Sequence, residues 1–473
     1  MSALFDNMSA HNNPCQADIP MRLHLHADHA LTPDGWARDV AVTLEAGRIA
    51  AVSPGAPPQG ERVGVLLPAP VNLHSHAFQR AMAGMTERRG PGPDSFWTWR
   101  SLMYRFLDHL TPDDVEAIAA FVQMEMAEAG FAAVAEFHYL HHQPGGAPHA
   151  DLAEMSARIA AAAAETGLGL THLPVLYMQG GCDGRALGPG QVRFGNDMDR
   201  FARLLEGAAA ALAGLPADTG LGVAPHSLRA VPPAALAAVA ALRPGAPVHL
   251  HLAEQMAEVA EVQGAYGARP VEWLLANAAV DARWCLIHCT QMLPAETAAL
   301  AATGAVAGLC PITEASLGDG IFDGLRFAQA GGRYGVGSDS NIRIALAEEL
   351  RSLEYSQRLR DRGRAMFATP DRSTGRALYQ AVLAGGAQAA GRAAGALAPG
   401  MWADLLALDG AHVDLAGRQG DEILDAWIFA GDDRMVREVW SAGRRIVTAG
   451  RHPRHDAITA RYAATLARLR TAA

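Results

Sequence analysis

The chain has 473 residues, of which 50% are hydrophobic and 19% charged, and its formal net charge is −10. This length exceeds one average domain but suits a single α/β barrel with additions. The negative charge and the lack of basic runs argue against a nucleic-acid partner, and no stretch approaches the roughly 18 apolar residues that a membrane span needs.

The first twenty residues, Met1 to Pro20, carry neither a basic start nor an apolar core, so no signal peptide is predicted. We expect this segment to be mobile. The 5 cysteines are scattered without a CxxC pair, which disfavours both a disulfide framework and a cysteine zinc site. A cytoplasmic location fits this pattern best.

Two flanking segments, Met21 to Leu67 and Gly400 to His452, alternate in short strands with turns between them. Neither has enough strands for a sheet of its own, so we predict that they pair into one small β-sandwich domain formed from both chain termini. The C-terminal segment contributes three predicted strand regions: Ala403 to Leu408, Ala426 to Ala430, and Val436 to Val447.

Between these segments, short apolar runs alternate with Ala-rich helical stretches, the pattern of a parallel α/β sheet. The predicted strands end at His76, Tyr139, Met178, His226, Glu254, His288, Pro311 and Asp339. Helices are predicted over Asp113–Ala129, Asp151–Thr166, Asp197–Ala213 and Pro232–Leu242. Eight strand–helix units predict a (β/α)8 TIM barrel, because an open doubly wound sheet would show fewer strands and a Gly-rich phosphate turn.

The predicted fold class is therefore α/β. We expect residues 1–66 to form the N-terminal part of the β-domain and residues 67–395 to form the barrel. Residues 396–473 would complete the β-domain and add a terminal helix.

Histidines and one aspartate stand at the carboxyl ends of predicted strands, where barrel enzymes place their chemistry. His74 and His76 have i, i+2 spacing, which puts both imidazoles on one face of a strand. With His251 and Asp339 they form a nitrogen- and oxygen-rich set that suits zinc, although iron and manganese remain open. His249 lies about 6.6 Å deeper than His251 along the same strand, so we predict that it supports the ligands from behind.

All 39 basic residues are arginine, because the chain has no lysine. This composition excludes a Schiff base on lysine, a P-loop lysine and a two-metal site bridged by a modified lysine.

At these motifs the chain resembles the amidohydrolase superfamily, which has the split β-domain, the strand-one HxH, the strand-five HxxE, a strand-six histidine and a strand-eight aspartate. The missing lysine points to the mononuclear deaminase branch, since binuclear members use a bridging modified lysine. Within that branch, five segments resemble the formimidoylglutamate deiminases of histidine degradation: Asn72 to Gly84, Phe96 to Arg100, Glu136 to Tyr139, Pro225 to Arg229, and His249 to Gln255.

Two positions depart from the pattern of that family. Ala69 replaces the usual glycine after the proline ahead of the HxH, which is a turn detail without catalytic consequence. After Asp339 the chain reads Ser340-Asn341-Ile342-Arg343-Ile344, where many relatives have a histidine or another polar residue. The resemblance is therefore weaker at the mouth of strand eight.

The resemblance implies one Zn²⁺ ion per chain, held by His74, His76, His251 and Asp339. It also implies hydrolysis of N-formimidoyl-L-glutamate to N-formyl-L-glutamate and ammonia. Glu254 would carry a proton from the attacking water to the leaving nitrogen, since ammonia leaves well only when protonated. His288 and Asp339 would hydrogen-bond the attacking oxygen.

A dicarboxylate substrate needs fixed positive partners, and the planar fork of arginine can bind a carboxylate through two hydrogen bonds. Arg100, beside Trp97 and Trp99, and Arg229 are the candidates. The resemblance adds three residues to the polar lining: Gln79, Tyr139 and His226.

Three other functions remain open: a zinc deaminase of a purine, pterin or other cyclic amidine, an amide or imide hydrolase, and a catalytically silent scaffold with the same barrel. The arginine pair disfavours the first, the missing lysine weakens the second, and the complete ligand set disfavours the third. The resemblance also implies a homodimer. Residues 86–101, with the sequence Gly90-Pro91-Gly92-Pro93, are predicted to form a mobile substrate loop.

Overall fold

The computed structural model describes residues 22–88, 92 and 95–472. The predicted mobility of the first twenty residues lies outside this range. So does most of the Gly-Pro sequence on which the mobile-loop hypothesis for residues 86–101 depends.

The described chain begins with four strands: β1 (Arg22–Thr32), β2 (Gly35–Glu45), β3 (Arg48–Ser53) and β4 (Glu61–Pro68). β1 and β2 form an antiparallel hairpin, whose turn requires Gly35 because the φ angle there is 113°. Alternate residues of β2, including Val40 and Val42, are fully buried, as expected for a strand with one face on a core.

Nine short strands follow: β5 (Val71–Ser75), β6 (Ala133–His138), β7 (Gly169–Leu176), β8 (Gly220–Leu221), β9 (Ala224–Pro225), β10 (Val248–Leu252), β11 (Trp284–His288), β12 (Val306–Leu309) and β13 (Arg333–Val336). Sequential neighbours pair in parallel, and β8 and β9 both pair with β7 as two halves of one interrupted strand.

Parallel bridges close these strands into a ring. Val223 pairs with Val248 between the fourth and fifth strand positions, and Ser75 pairs with Asp339 between the first and the eighth. The predicted TIM barrel is thereby confirmed.

Among the described residues, twelve α-helices precede the C-terminal segment: α1 (Phe96–Leu107), α2 (Pro112–Glu128), α3 (Glu154–Thr166), α4 (Met198–Leu212), α5 (Pro233–Ala241), α6 (Met256–Tyr266), α7 (Pro270–Asn277), α8 (Pro294–Ala301), α9 (Pro311–Leu317), α10 (Gly324–Gln329), α11 (Leu346–Asp361) and α12 (Thr374–Ala389). Local chemistry sets several of their starts: Thr111 and Asp114 form a capping box at α2, and Asp197 caps α4. None of the described helices combines the length and apolarity needed to cross a bilayer.

The C-terminal segment adds β14 (Leu405–Leu408), β15 (Val436–Ser441) and β16 (Arg444–Val447). Because β14 pairs with β4, the strands from both ends of the chain form one seven-stranded sheet in the order β16-β15-β14-β4-β1-β2-β3. The predicted β-domain built from both termini is confirmed.

One predicted strand is wrong. Ala426–Ala430 is a π-helical turn that continues α13 (Asp421–Asp425). Its Trp427 is fully buried, with its ring centroid 5.7 Å from that of Tyr379 in α12. Over five apolar residues, composition cannot distinguish a buried strand from a buried helix, and packing against the barrel helices decides the outcome here.

The last helix, α14 (His455–Ala472), lies on the outside of the barrel. The ring of Tyr462 stacks on that of Phe121 in α2, with centroids 3.9 Å apart. The C-terminal segment therefore contributes to both the β-domain and the helical layer.

A buried ion cluster joins the β-domain to the barrel. Arg392 binds Asp404 (2.6 Å) and Asp218 (2.8 Å), and Arg444 binds both carboxylate oxygens of Asp218 (2.7 and 2.8 Å). Burial opposes ionisation of Asp218, but the hydrogen bonds from Arg444 and the charge of Arg392 outweigh it and lower its pKa to about 2. Two arginines thus balance two aspartates.

Candidate active site

The four candidate metal ligands meet at the mouth of the barrel. The donor atoms of His74, His76, His251 and Asp339 lie within 4.8 Å of one another, and all four residues are buried. Nε2 of His251 lies 3.1 Å from Nε2 of His74 and 3.3 Å from Nε2 of His76. Oδ1 of Asp339 lies 3.4 Å from Nε2 of His74 and 3.2 Å from Nε2 of His76. They converge because parallel strands end at one edge of the barrel.

The other ring nitrogens show which atoms face the centre of this cluster. Nδ1 of His76 lies 2.8 Å from the Phe137 carbonyl oxygen, and Nδ1 of His251 lies 3.1 Å from that of His226. Each Nδ1 therefore carries a proton and donates it to a carbonyl. The Nε2 lone pairs then face each other across 3.3 Å, an arrangement that a cation stabilises.

Protonation also favours a cation at this position. Burial and the neighbouring imidazoles lower the pKa of His74 to about 3 and that of His251 well below its usual value. The rings stay neutral near pH 7, which is the state that metal ligation requires. Three imidazoles and a carboxylate are a donor set that fits zinc.

Backbone hydrogen bonds join the ends of strands one and eight beside the ligands. The Asp339 N–H donates to the His74 carbonyl, and the His76 N–H donates to the Asp339 carbonyl, both at 2.9 Å. Asn341, which lies in the segment that departs from the family pattern, donates from Nδ2 to the His76 carbonyl oxygen (3.2 Å). It therefore adds a side-chain hydrogen bond between strands eight and one. Gly337 permits this close approach, since a Cβ there would lie 2.6 Å from the His74 backbone.

Glu254 is held by a strained turn after β10. Ala253 has a φ angle of 51°, which is unfavourable for a residue with a Cβ and typical of functional sites. The carboxylate of Glu258 accepts hydrogen bonds from the N–H groups of Ala253 (3.2 Å) and Glu254 (3.0 Å). Burial raises the pKa of Glu254, although the nearby His288 opposes the shift. A raised pKa suits a carboxyl group that takes up and returns a proton near neutral pH.

His288 lies between three carboxylates. Its Nε2 is 3.8 Å from both Glu254 and Asp339, and its Nδ1 is 3.3 Å from Glu314. Burial lowers the pKa of His288, but the charges of these carboxylates outweigh burial and raise it well above its usual value. The ring can therefore donate hydrogen bonds into the site. Sequence reasoning missed Glu314, which lies in α9 and has no recognisable spacing to the other residues.

One cavity connects these groups to the predicted substrate-binding residues. Its lining includes every candidate site residue except His74, which is fully buried behind it. The candidates that line it are His76, Gln79, Arg100, Tyr139, His226, Arg229, His251, Glu254, His288 and Asp339. Seven further residues complete the wall: Phe96, Trp99, Met103, Tyr104, Tyr177, Phe194 and Leu317.

The two predicted arginines face this cavity without acidic partners. Within the described parts of the chain, neither Arg100 nor Arg229 forms a salt bridge, and Nε of the buried Arg229 has no hydrogen-bond partner. The ring of Trp97 lies 5.5 Å from Cζ of Arg100 and 5.8 Å from Cζ of Arg229. Two unpaired guanidinium groups beside one cavity favour an anionic ligand.

Between the arginines and the ligand cluster, Tyr139 contacts both Gln79 and His226. Gln79 donates to the Tyr139 hydroxyl (2.7 Å), and the Tyr139 ring packs edge-on against His76 and His226. Burial, followed by the charges of Arg229 and Arg100, lowers the pKa of His226 well below its usual value. The neutral His226 ring is therefore available for hydrogen bonding rather than for charge pairing.

His249 does not join the ligand cluster. Its Nε2 lies 2.8 Å from the Ala389 carbonyl oxygen. This nitrogen therefore does not make the hydrogen bond to a ligand histidine that the sequence had predicted. Sequence reasoning also missed Tyr104 and Tyr177. Tyr104 lies four residues after Arg100 on a helix, and Tyr177 follows a strand end, so both spacings offered a signal.

Comparisons with known proteins identify the family of this chain. The sequence model of the amidohydrolase family matches residues 65–446, and that of the formimidoylglutamate deiminase HutF N-terminal domain matches residues 23–62. A formimidoylglutamate deiminase from Pseudomonas aeruginosa is 52% identical over 433 residues, which are 90% of this chain and 95% of that protein.

Solved structures give the same result. The crystal structure of an amidohydrolase from Brucella melitensis superposes with a TM-score of 0.91 at 49% identity, covering 94% of this chain and 99% of that one. An adenosine deaminase from Xanthomonas campestris with bound zinc has a TM-score of 0.80 at 20% identity, covering 95% and 98%, a likeness of fold alone. Since the family match extends through the whole barrel, this chain belongs to the amidohydrolase family.

Proposed function

We propose that this protein is a zinc-dependent hydrolase that converts N-formimidoyl-L-glutamate and water to N-formyl-L-glutamate and ammonia in histidine degradation. The observation that carries this proposal is the shared cavity. It contains a metal-ligand cluster, a proton-carrying glutamate and two arginines without acidic partners. The 52% identity to a formimidoylglutamate deiminase supports the same substrate.

We assign His74, His76, His251 and Asp339 to one Zn²⁺ ion. When bound, such an ion supplies Lewis acidity that makes water a nucleophile at neutral pH. The hydrogen bonds from His76 and His251 to backbone carbonyls hold the two rings in the tautomer that presents Nε2.

Glu254 and His288 move and stabilise charge in this proposal. Glu254 takes one proton of the attacking water while the C–O bond forms at the formimidoyl carbon, and it passes this proton to the imino nitrogen, which becomes an amino group. Glu254 then carries the remaining hydroxyl proton of the adduct to the same nitrogen, so that the C=O bond forms while the C–N bond breaks with neutral ammonia as the leaving group. His288, 3.8 Å from Glu254, donates a hydrogen bond to the oxygen of the tetrahedral adduct.

Arg100 and Arg229 bind the two substrate carboxylates, and Gln79, Tyr139 and His226 orient the chain between them. Six phenylalanine, tyrosine and tryptophan residues in the cavity wall could also accept a heterocycle, but a cyclic amidine would leave both guanidinium groups without an anion. A catalytically silent scaffold would need neither the full set of four ligands nor a buried glutamate beside it, and this chain has both.

We further propose that the barrel comprises residues 67–395, that residues 1–66 and 396–473 make up the β-domain and terminal helix, and that the protein acts as a cytoplasmic homodimer. Sedimentation equilibrium measures the assembly directly. A mass near the 49.8 kDa of one chain would contradict the dimer.

Ammonia release from N-formimidoyl-L-glutamate by the zinc-loaded protein tests the function. We expect turnover by the wild type, and an increase in KM of about tenfold to a hundredfold in Arg100→Met, because a charge-assisted hydrogen bond contributes about 1.5–3 kcal/mol. Arg158→Met is the matched control, since Arg158 pairs with Glu154 and Glu116 on the barrel exterior. Absence of ammonia from the wild type would remove the substrate assignment.

A further inference from the structure

Two tyrosine hydroxyl groups flank the guanidinium group of Arg100. Nε of Arg100 donates to the hydroxyl oxygen of Tyr104, one turn along α1, and Nη2 donates to that of Tyr177 at 3.2 Å. All three residues line the cavity described above. Nε and one N–H of Nη2 are therefore already bound to phenol oxygens.

The loop ahead of α4 fixes both phenols in place. Gln191 donates from Nε2 to the Tyr177 hydroxyl (2.9 Å), and its Oε1 accepts the Gly188 N–H (2.9 Å). Gly190 makes room for the other ring, since a Cβ there would lie 2.4 Å from the Tyr104 ring. The two hydroxyl groups are thus positioned before any ligand arrives.

The hydroxyl protons have no acceptor in the described structure. A phenol oxygen accepts up to two hydrogen bonds and donates one. The Tyr177 oxygen accepts two, from Arg100 and Gln191, so only its proton remains to be placed. The Tyr104 oxygen accepts from Arg100, and burial raises the pKa of Tyr104 to about 12, so this hydroxyl keeps its proton near pH 7.

We infer that Arg100, Tyr104 and Tyr177 form a carboxylate subsite, in which the terminal edge of the guanidinium and the two hydroxyl protons bind one carboxylate of the substrate. The identity of that substrate rests on the proposed function. Because Nε and one N–H of Nη2 are already bound to phenol oxygens, the carboxylate binds through Nη1, and the hydroxyl groups supply the further hydrogen bonds. Arg229 then serves the other carboxylate.

This arrangement makes the tyrosines specificity-determining residues. A site built to hydrogen-bond a group discriminates strongly against a ligand that lacks it, because the buried donors stay unpaired. Charge attraction by Arg100 alone would accept any anion nearby. The two fixed hydroxyl groups instead favour a ligand that places a planar pair of oxygen atoms beside them, as a carboxylate does.

The test compares Tyr177→Phe and Tyr104→Phe with the wild type on three substrates: N-formimidoyl-L-glutamate, 4-(formimidoylamino)butanoate and 2-(formimidoylamino)butanoate. Each of the last two lacks one carboxylate. We expect Tyr177→Phe to raise KM for the full substrate about tenfold with kcat within about twofold. The effect should disappear with one of the two truncated substrates and persist with the other.

Tyr379→Phe is the matched control, because its hydroxyl donates to the Pro68 carbonyl (2.7 Å) away from the cavity. An equal rise in KM for all three substrates, no rise at all, or a loss confined to kcat would overturn the subsite.

Calorimetric binding of glutarate separates this inference from the proposed function. If the wild type releases no ammonia but binds glutarate more tightly than Tyr177→Phe does, the function fails and the subsite stands. If ammonia is released and both proteins bind glutarate equally, the subsite fails alone. Absence of both turnover and glutarate binding would overturn both.

Discussion

Two clusters of buried charged and polar groups in this molecule are built differently. At the junction of barrel and β-domain, Arg392 and Arg444 pair with Asp218 and Asp404, and none of their side-chain polar atoms lacks a partner among the described residues. At the mouth, Nδ1 of His74, Oε1 of Gln79 and Nε of Arg229 are buried without a partner.

The difference separates a structural charge cluster from a ligand-binding one. Burying an ionised group is costly unless partners compensate it. The junction supplies its partners from within the chain, so it needs nothing further. At the mouth, the Nε2 lone pairs of the ligand histidines face one another, and Arg100 and Arg229 form no salt bridge with a described residue. A cation and a dicarboxylate would supply the missing partners.

Asp339→Ala should have the largest effect. It removes one of the four ligands, so we expect loss of bound zinc and a decrease in kcat of at least about 10⁴-fold. Metal analysis and ammonia release measure both. Asp409→Ala, at a half-buried residue outside the active-site cavity, is the control, and an Asp339→Ala protein that keeps zinc and activity would contradict the assignment.

Glu254→Gln should lower kcat by about 10²–10⁴-fold without loss of zinc, because it removes the proton carrier and leaves all four ligands. Steady-state kinetics and metal content, measured on the same preparation, provide the comparison. Glu272→Gln on α7 is the control. Zinc loss in Glu254→Gln would mean that Glu254 belongs to the ligand set instead.

Arg392→Met changes the junction and should affect stability rather than chemistry. It leaves Asp404 buried without its arginine partner, so we expect the free energy of unfolding to fall by about 3–5 kcal/mol. Urea denaturation measures this. kcat should stay unchanged in the folded protein, whereas Arg158→Met should cost at most about 1 kcal/mol. A junction variant as stable as the wild type would refute a structural role.

Acid should destabilise the metal-free protein through buried histidines before it affects the junction. Burial lowers the pKa of His138 and His172 to about 3 and that of His249 to about 4. Because the unfolded state then binds more protons, each group reduces stability by up to about 1.4 kcal/mol per pH unit below pH ~6.5.

The junction carboxylate of Asp218 has a pKa lowered to about 2, so its contribution is lost only below about pH 4. Urea midpoints at pH 7.5, 6 and 5 check the order. Constant stability across that range would contradict the neutral, buried state of the histidines.

Much of this protein followed from its sequence. Regular alternation of strands and helices indicated the barrel, and two incomplete terminal strand sets indicated a shared β-domain. The ligand candidates could be named because strand periodicity and the common edge of parallel strands constrain where His74, His76, His251 and Asp339 lie. Those are local or topological rules, so a single chain suffices to apply them.

Only the tertiary structure decided the rest. Ala426–Ala430 is helical because Trp427 packs against the barrel, and His249 faces Ala389 rather than the ligands. The Tyr177 phenol beside Arg100 and the carboxylate of Glu314 beside His288 come from separate parts of the chain. Their roles depend on distances between residues far apart in sequence, and no local propensity encodes such distances.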